Sequence, residues 1–210
     1  MQTQQVTIEA CVESAAEAVS AFKAGATRVE MCSRLDCDGM TPDLAEVKKV
    51  LDAGYTQIKV MIRPQAEGFF FTESDLRKSI EACSAFFYLG IRQFVFGALT
   101  KEGKVDTTIL AQITEALPHA VWCFHKAIDL VSDQWQALED IATFPTFGAI
   151  LTSGASATAI EGRSRIQEIQ NRFGDRFEII AAGKITHQNL TRLRTILRVP
   201  AYHGRKIVEF

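Results

Sequence analysis

The chain has 210 residues, 47 % of them apolar, with a formal net charge of -2. That suits a large domain with a real core and excludes a disordered chain. Charges of both signs are interspersed, so there is no basic stripe for nucleic acid and no acidic solvating tail. Residues 1–5 are polar and lack the basic start and apolar run of a secretory leader. No apolar stretch reaches the roughly 18 residues of a membrane span, so no membrane partner is expected. The expected location is the cytosol. The five cysteines, at 11, 32, 37, 83 and 123, form no close Cys-x-x-Cys pair. They are expected as free thiols rather than as a disulfide framework.

Strand-like runs and helix patterns alternate along the chain. Residues 6–12 read as a strand. Residues 14–24 read as a helix, with Ser14 and Glu17 spaced as a capping box and Gly25 behind them. A second strand is expected over 28–33. Thr41-Pro42 then reads as an N-cap with proline at the first helical position, opening a helix to Ala53. A third strand (58–63) precedes a helix over 72–89, and a fourth (94–99), the most apolar, precedes one over 107–117. The fifth strand (120–127) leads to a helix over 133–143, the sixth (149–152) to one over 157–173, and the seventh (177–182) to one over 187–197. An eighth strand is expected at 201–203.

Eight strands alternating with seven helices predict a parallel sheet covered by helices, and eight is the number at which such a sheet closes. A doubly wound open sheet is the alternative, but Glu13-Ser14-Ala15 after the first strand is no glycine-rich phosphate turn. The expected fold is therefore an α/β, (β/α)8 TIM-type barrel of eight parallel strands in a single domain over 1–210. Only Gly204 to Phe210 follow the last strand, so the eighth helix is expected to be missing or truncated. The bare flank is then a candidate contact in a homo-oligomer.

Such barrels work at the C-terminal ends of their strands, and side chains alternate faces along each strand. Glu9 and Cys11 share one face, Glu30 and Cys32 another, and Lys59, Met61 and Arg63 a third, each opposite an apolar set suited to the helix-covered outside. Cys123, His125, Ala127 and Asp129 fall on one side of the fifth run, with Lys126 opposite or in the loop. Charges directed into a barrel need partners or a ligand. One reading is a structural network, with Glu9 and Glu30 paired to Lys59 and Arg63. The other is a site. Ser153, Gly183, Lys184, His203, Gly204 and Arg205 end neighbouring strands, where backbone N–H groups and positive charge suit an anion. Gly183 and Gly204 also read as plain turn residues. Cys11 and Cys32 take equivalent places on neighbouring strands about 4.8 Å apart, and soft thiolates select Cu(I). The alternative for them is buried core. Cys37, in the following loop, is a candidate third ligand. Cys83 reads as core, and His119 and His187 read as surface or capping residues.

Several segments, in order, resemble the CutC family: Glu9-Ala10-Cys11-Val12-Glu13-Ser14, Arg28-Val29-Glu30-Met31-Cys32-Ser33, Gly39-Met40-Thr41-Pro42, Val60-Met61-Ile62-Arg63-Pro64, Val95-Phe96-Gly97-Ala98-Leu99-Thr100, Phe124-His125-Lys126-Ala127-Ile128-Asp129 and Ile150-Leu151-Thr152-Ser153-Gly154. The resemblance implies an oligomeric barrel with a role in copper homeostasis, and Cu(I) at the cysteines matching Cys11 and Cys32. The chain departs from the family pattern at Asp38, Gln65, Lys126 and Lys184. Two functions follow as expectations. The first is Cu(I) binding or trafficking through Cys11 and Cys32. The second is an enzyme acting on a small anionic metabolite bearing phosphate or carboxylate: Arg63 and Lys126 would hold the anion, Glu30 or His125 would act as base with Glu9 as partner, and Asp129 would stand nearby.

Overall fold

The computed structural model describes residues 6–210. Residues 1–5, where no leader is expected, lie outside them. Eight strands close in sequence order into a barrel, every neighbouring pair parallel. They are β1 (Thr7–Val12), β2 (Arg28–Met31), β3 (Ile58–Met61), β4 (Gln93–Phe96), β5 (Val121–Phe124), β6 (Phe147–Thr152), β7 (Glu178–Ala181) and β8 (Ala201–Gly204). Outside them lie α1 (Ala15–Lys23), α2 (Leu44–Asp52), α3 (Glu73–Tyr88), α4 (Thr107–Ala116), α5 (Gln134–Ala142), α6 (Arg163–Phe173) and α7 (Leu190–Leu197). Among the described residues no helix follows β8, and none is long and apolar enough to cross a membrane.

The main core lies between barrel and helices. The outward set of the strands, including Ala10, Val29, Val60, Phe94, Trp122 and Ile179, packs against the apolar stripes of the helices. A second, smaller core fills the barrel itself, with Cys11, Cys32, Met61, Val95, Cys123 and Leu151 in contact. This division is the alternation of the strands made physical.

Several helix starts differ from expectation, each for a local reason. Ser14 caps α1 by accepting from the Glu17 amide, but the Glu17 carboxylate accepts from the amide of Glu13 rather than from that of Ser14. Thr41 does not cap α2. Its hydroxyl accepts from the Arg63 amide at 2.9 Å and its amide donates to the Arg63 carbonyl, which ties it to the chain just beyond β3. Asp43 caps the helix instead. Residues 157–162 stay out of α6, because the Ala159 amide donates to the Gly183 carbonyl at 2.9 Å. Gly162 there sits against the Ser153 carbonyl so closely that an added Cβ would lie 1.9 Å from its oxygen. Strand 5 ends at Phe124, and a single 3-10 turn over Lys126–Asp129 replaces its expected tail. The helix expected over 187–197 begins only at Leu190.

Candidate functional site

The parallel register sets which side chains meet inside the barrel. Glu9 stands opposite Arg28 on one side and His203 on the other; Cys11 stands opposite Glu30, and Glu30 opposite Lys59. Glu9 is fully buried and is the hub. One of its oxygens takes the Arg28 guanidinium and lies 3.3 Å from the Lys59 ammonium; the other bonds to His203 Nδ1 at 2.9 Å. Arg28 continues as a two-point pair to Glu178 at 3.0 and 3.2 Å, and Lys59 lies 3.5 Å from the same carboxylate. Burial works against the charge on Glu9, but Lys59, Arg28 and His203 outweigh it and hold the carboxyl well below its usual range.

This network is the structural pairing anticipated for Glu9 and Lys59, but Arg63 takes no part. Its guanidinium donates to the carbonyls of Cys37 (2.9 Å), Gly39 (3.2 Å) and Ala66 (2.7 Å) and lies over the Phe69 ring. The charges that replace it, Arg28 and Glu178, escaped the sequence reading. The signal was there: each lies two residues before an inward position, Glu30 and Ile180.

One layer nearer the mouth lie the thiols. Cys11 and Cys32 are buried, with Sγ atoms 3.7 Å apart, sharing a thiol hydrogen bond. Cys32 also donates to Glu30 Oε1 at 3.2 Å. The other Glu30 oxygen lies 3.6 Å from His203 Nδ1 and has no hydrogen-bond partner. The hydrogen bond with Cys32 brings the Cys11 thiol down to about 6, against the effect of burial and with help from His203. The same bond, with burial, pushes Cys32 well up. Of the two, Cys11 is therefore the thiol that ionises more readily. Burial, followed by the opposing pull of His203 and the repulsion of Cys11 and Glu9, leaves Glu30 raised to about 7. For His203, burial is outweighed by Glu30, Cys11 and Glu9, so the imidazole is cationic. Two triads have ligand atoms mutually within 4.8 Å: Cys11, Glu30 and Cys32, and Glu9, Glu30 and His203. A divalent ion at the second would face the Arg28 and Lys59 charges already bound to Glu9. The first offers soft sulfur away from them, which suits Cu(I). Cys37 is half-buried on the loop, with its sulfur near Arg34 and Asp36 rather than with the other thiols.

The remaining expected residues fall elsewhere. Asp129 does not reach the interior cluster. Its carboxylate accepts from the Ser153 amide and hydroxyl (both 2.8 Å), from the Ala155 amide (2.9 Å) and from Thr152, and so fastens the loop after β6. Lys126 and Lys184 are exposed. Gly183 has a φ of +103°, and a Cβ there would press on Ser153; a Cβ on Gly204 would lie 2.2 Å from the Ile185 carbonyl oxygen. Close chain crossings account for both glycines. His125 is buried at the end of β5, one ring nitrogen accepting from the Ala127 amide at 3.2 Å. Cys83 lies in the core, pushed up by burial, and His119 is exposed.

A family model described as the CutC family matches residues 6–208. A protein of Treponema denticola named as CutC is 34 % identical over 95 % of this chain and 81 % of its own length. A copper homeostasis protein cutC homolog of Caenorhabditis elegans is 34 % identical over 96 % of this chain and 80 % of its own. The crystal structure of a Streptococcus agalactiae protein named as CutC superposes with a TM-score of 0.90 at 27 % identity, covering 97 % of this chain and all of that one. Barrels at 11 % identity, such as a phosphoribosylanthranilate isomerase from Thermotoga maritima (TM-score 0.58), share the fold alone. With its barrel, its paired inward cysteines and a match along nearly its whole length, the chain belongs to the CutC family, the family of copper homeostasis proteins.

Proposed function

We propose that this protein takes up Cu(I) in the cytosol through Cys11 and Cys32. One observation carries the reading: two buried thiols on adjacent strands, 3.7 Å apart, one of them drawn toward the thiolate at neutral pH. Thiolate sulfur is the ligand type that favours Cu(I) over harder ions, and burial of both sulfurs limits the access of oxidant to a soft ion there. Glu30 accepts a hydrogen bond from Cys32 and is raised to about 7, so it can take up a proton that the metal displaces, while the cationic His203 beside Cys11 favours the thiolate. Five free cysteines fit a reducing compartment.

Self-association belongs to the same reading. A recess of about 700 Å3 lies between the end of α6, α7 and the start of β8, lined in part by Gln170, Asp175, Arg194, Pro200 and Tyr202, and is the candidate contact. Light scattering on the purified protein reads the oligomeric state.

The deciding experiment is anaerobic Cu(I) titration against a competing chelator, for the native protein and for Cys11→Ser with Cys32→Ser. One-to-one binding that vanishes in the double variant, with the melting curve preserved, is the expected result. Native uptake no greater than the variant's would reject the copper role.

A further inference from the structure

Above the thiols, at the ends of β3 and β5, lies a second set of groups that the copper reading does not use. Arg63 is 6 % exposed and His125 3 %. Both abut Phe69: the guanidinium carbon is 4.9 Å from the ring centre and the imidazole centre 4.7 Å. The loop after β3 carries Phe69, and the Leu99 amide fastens it by donating to the Phe69 carbonyl at 2.8 Å. On the other side, Gly97 makes room for the imidazole; a Cβ there would lie 2.6 Å from the ring.

Both side chains carry an unused donor. Arg63 spends its terminal nitrogens on three backbone carbonyls, while its Nε–H has no partner. His125 Nδ1 accepts from the Ala127 amide, so in the neutral ring the proton sits on Nε2, which also has no partner. The ring is neutral because burial, and then the Arg63 charge, lower it to about 3. A buried donor left unmade is costly, so two of them around one aromatic ring mark a place shaped for an acceptor. The guanidinium also forms no ion pair with any carboxylate among the described residues.

We infer that Arg63, His125 and Phe69 form a binding site for a small carboxylate, separate from the thiol pair, with the carboxylate oxygens accepting from Arg63 Nε–H and His125 Nε2–H and the ligand's apolar body against Phe69. The class follows from charge and shape. One guanidinium, already acted on by the Asp38 carboxylate, beside a neutral imidazole suits at most a single negative charge, and a dianionic phosphate would leave charge uncompensated at a buried position. The ring face supplies the apolar wall typical of small-molecule sites.

The test is a titration of protein carrying 15N-labelled histidine with benzoate, acetate and inorganic phosphate, following the ring nitrogens by NMR; His125→Phe assigns the His125 signals. Benzoate is expected to shift His125 Nε2 saturably and more tightly than acetate, with phosphate without effect. Arg63→Lys, which keeps the charge but loses the Nε–H, is expected to weaken benzoate binding about tenfold or more. Melting curves accompany both variants; if Arg63→Lys does not fold, the native titration decides. No saturable shift with either carboxylate, a shift with phosphate alone, or benzoate binding unchanged in a folded Arg63→Lys protein would overturn the inference. Copper is absent throughout, so the outcome is independent of the thiol site.

Discussion

Glu9 Oε1 and His203 Nδ1 lie 2.9 Å apart across the seam where the first strand meets the last. The bond places a cationic imidazole between the ion-pair network below and the thiols above. It joins the part of the interior that holds the barrel together to the part that offers a ligand site.

Glu9→Gln keeps the shape and removes the charge that compensates Arg28 and Lys59. The expected cost is about 3–5 kcal/mol, the range for breaking a buried ion pair from one side. Urea unfolding measures it. A loss no greater than that of an exposed substitution would mean that Glu178 alone neutralises both cations.

The two ends of the Arg28 bridge are unequal. The Glu9 side chain is 1 % exposed and that of Glu178 is 29 %. Glu178→Gln should therefore cost about 1 kcal/mol or less, since solvent screens that end. Arg28→Met should cost several times more, because it strands the Glu9 charge with Lys59 and His203 only. Comparing the two urea midpoints checks the ranking.

Acid should weaken the fold through His125. Its folded-state value, lowered to about 3 by burial and then by Arg63, lies below the ordinary value of about 6.5. A depressed group contributes stability that is whole above the unfolded value and is lost as pH falls toward the folded one. The slope is at most about 1.4 kcal/mol per pH unit between about 6.5 and 3. Unfolding free energies at about pH 7 and about pH 5 should differ more for the native protein than for His125→Phe. Equal slopes would show that the imidazole is protonated in place.

Gly204→Ala drives a Cβ toward the Ile185 carbonyl, to 2.2 Å on the native backbone. The expected cost is about 1–3 kcal/mol from displaced backbone, seen as a lower melting temperature. An unchanged melt would show that the crossing between β8 and the loop after β7 yields freely.

Much of this was legible from alternation alone. Once β1, β2 and β3 were placed, the facing of Glu9, Cys11, Glu30, Cys32, Lys59 and Arg63 followed, because a strand leaves only two faces to choose between. What alternation cannot supply is the stagger of one strand on the next. Arg63 was expected to meet a glutamate, but it projects beyond the strand-end layer of Glu30, into a loop whose carbonyls reach it first. Asp129 likewise kept the parity of β5 on paper, whereas the chain turns at Lys126 and the carboxylate ends in the loop after β6. Loop closures of this kind are set by tertiary hydrogen bonds that no local pattern announces.

The seam has a temporal consequence as well. Glu9 and His203 are separated by 194 positions, so their contact waits until the whole barrel segment between them has been made. Until β8 arrives, β1 presents an open edge, and the hub carboxylate has only the two cations from β2 and β3. Closure is thus a late, long-range event, and a nascent chain on the ribosome would hold this end of the barrel ajar until β8 emerges.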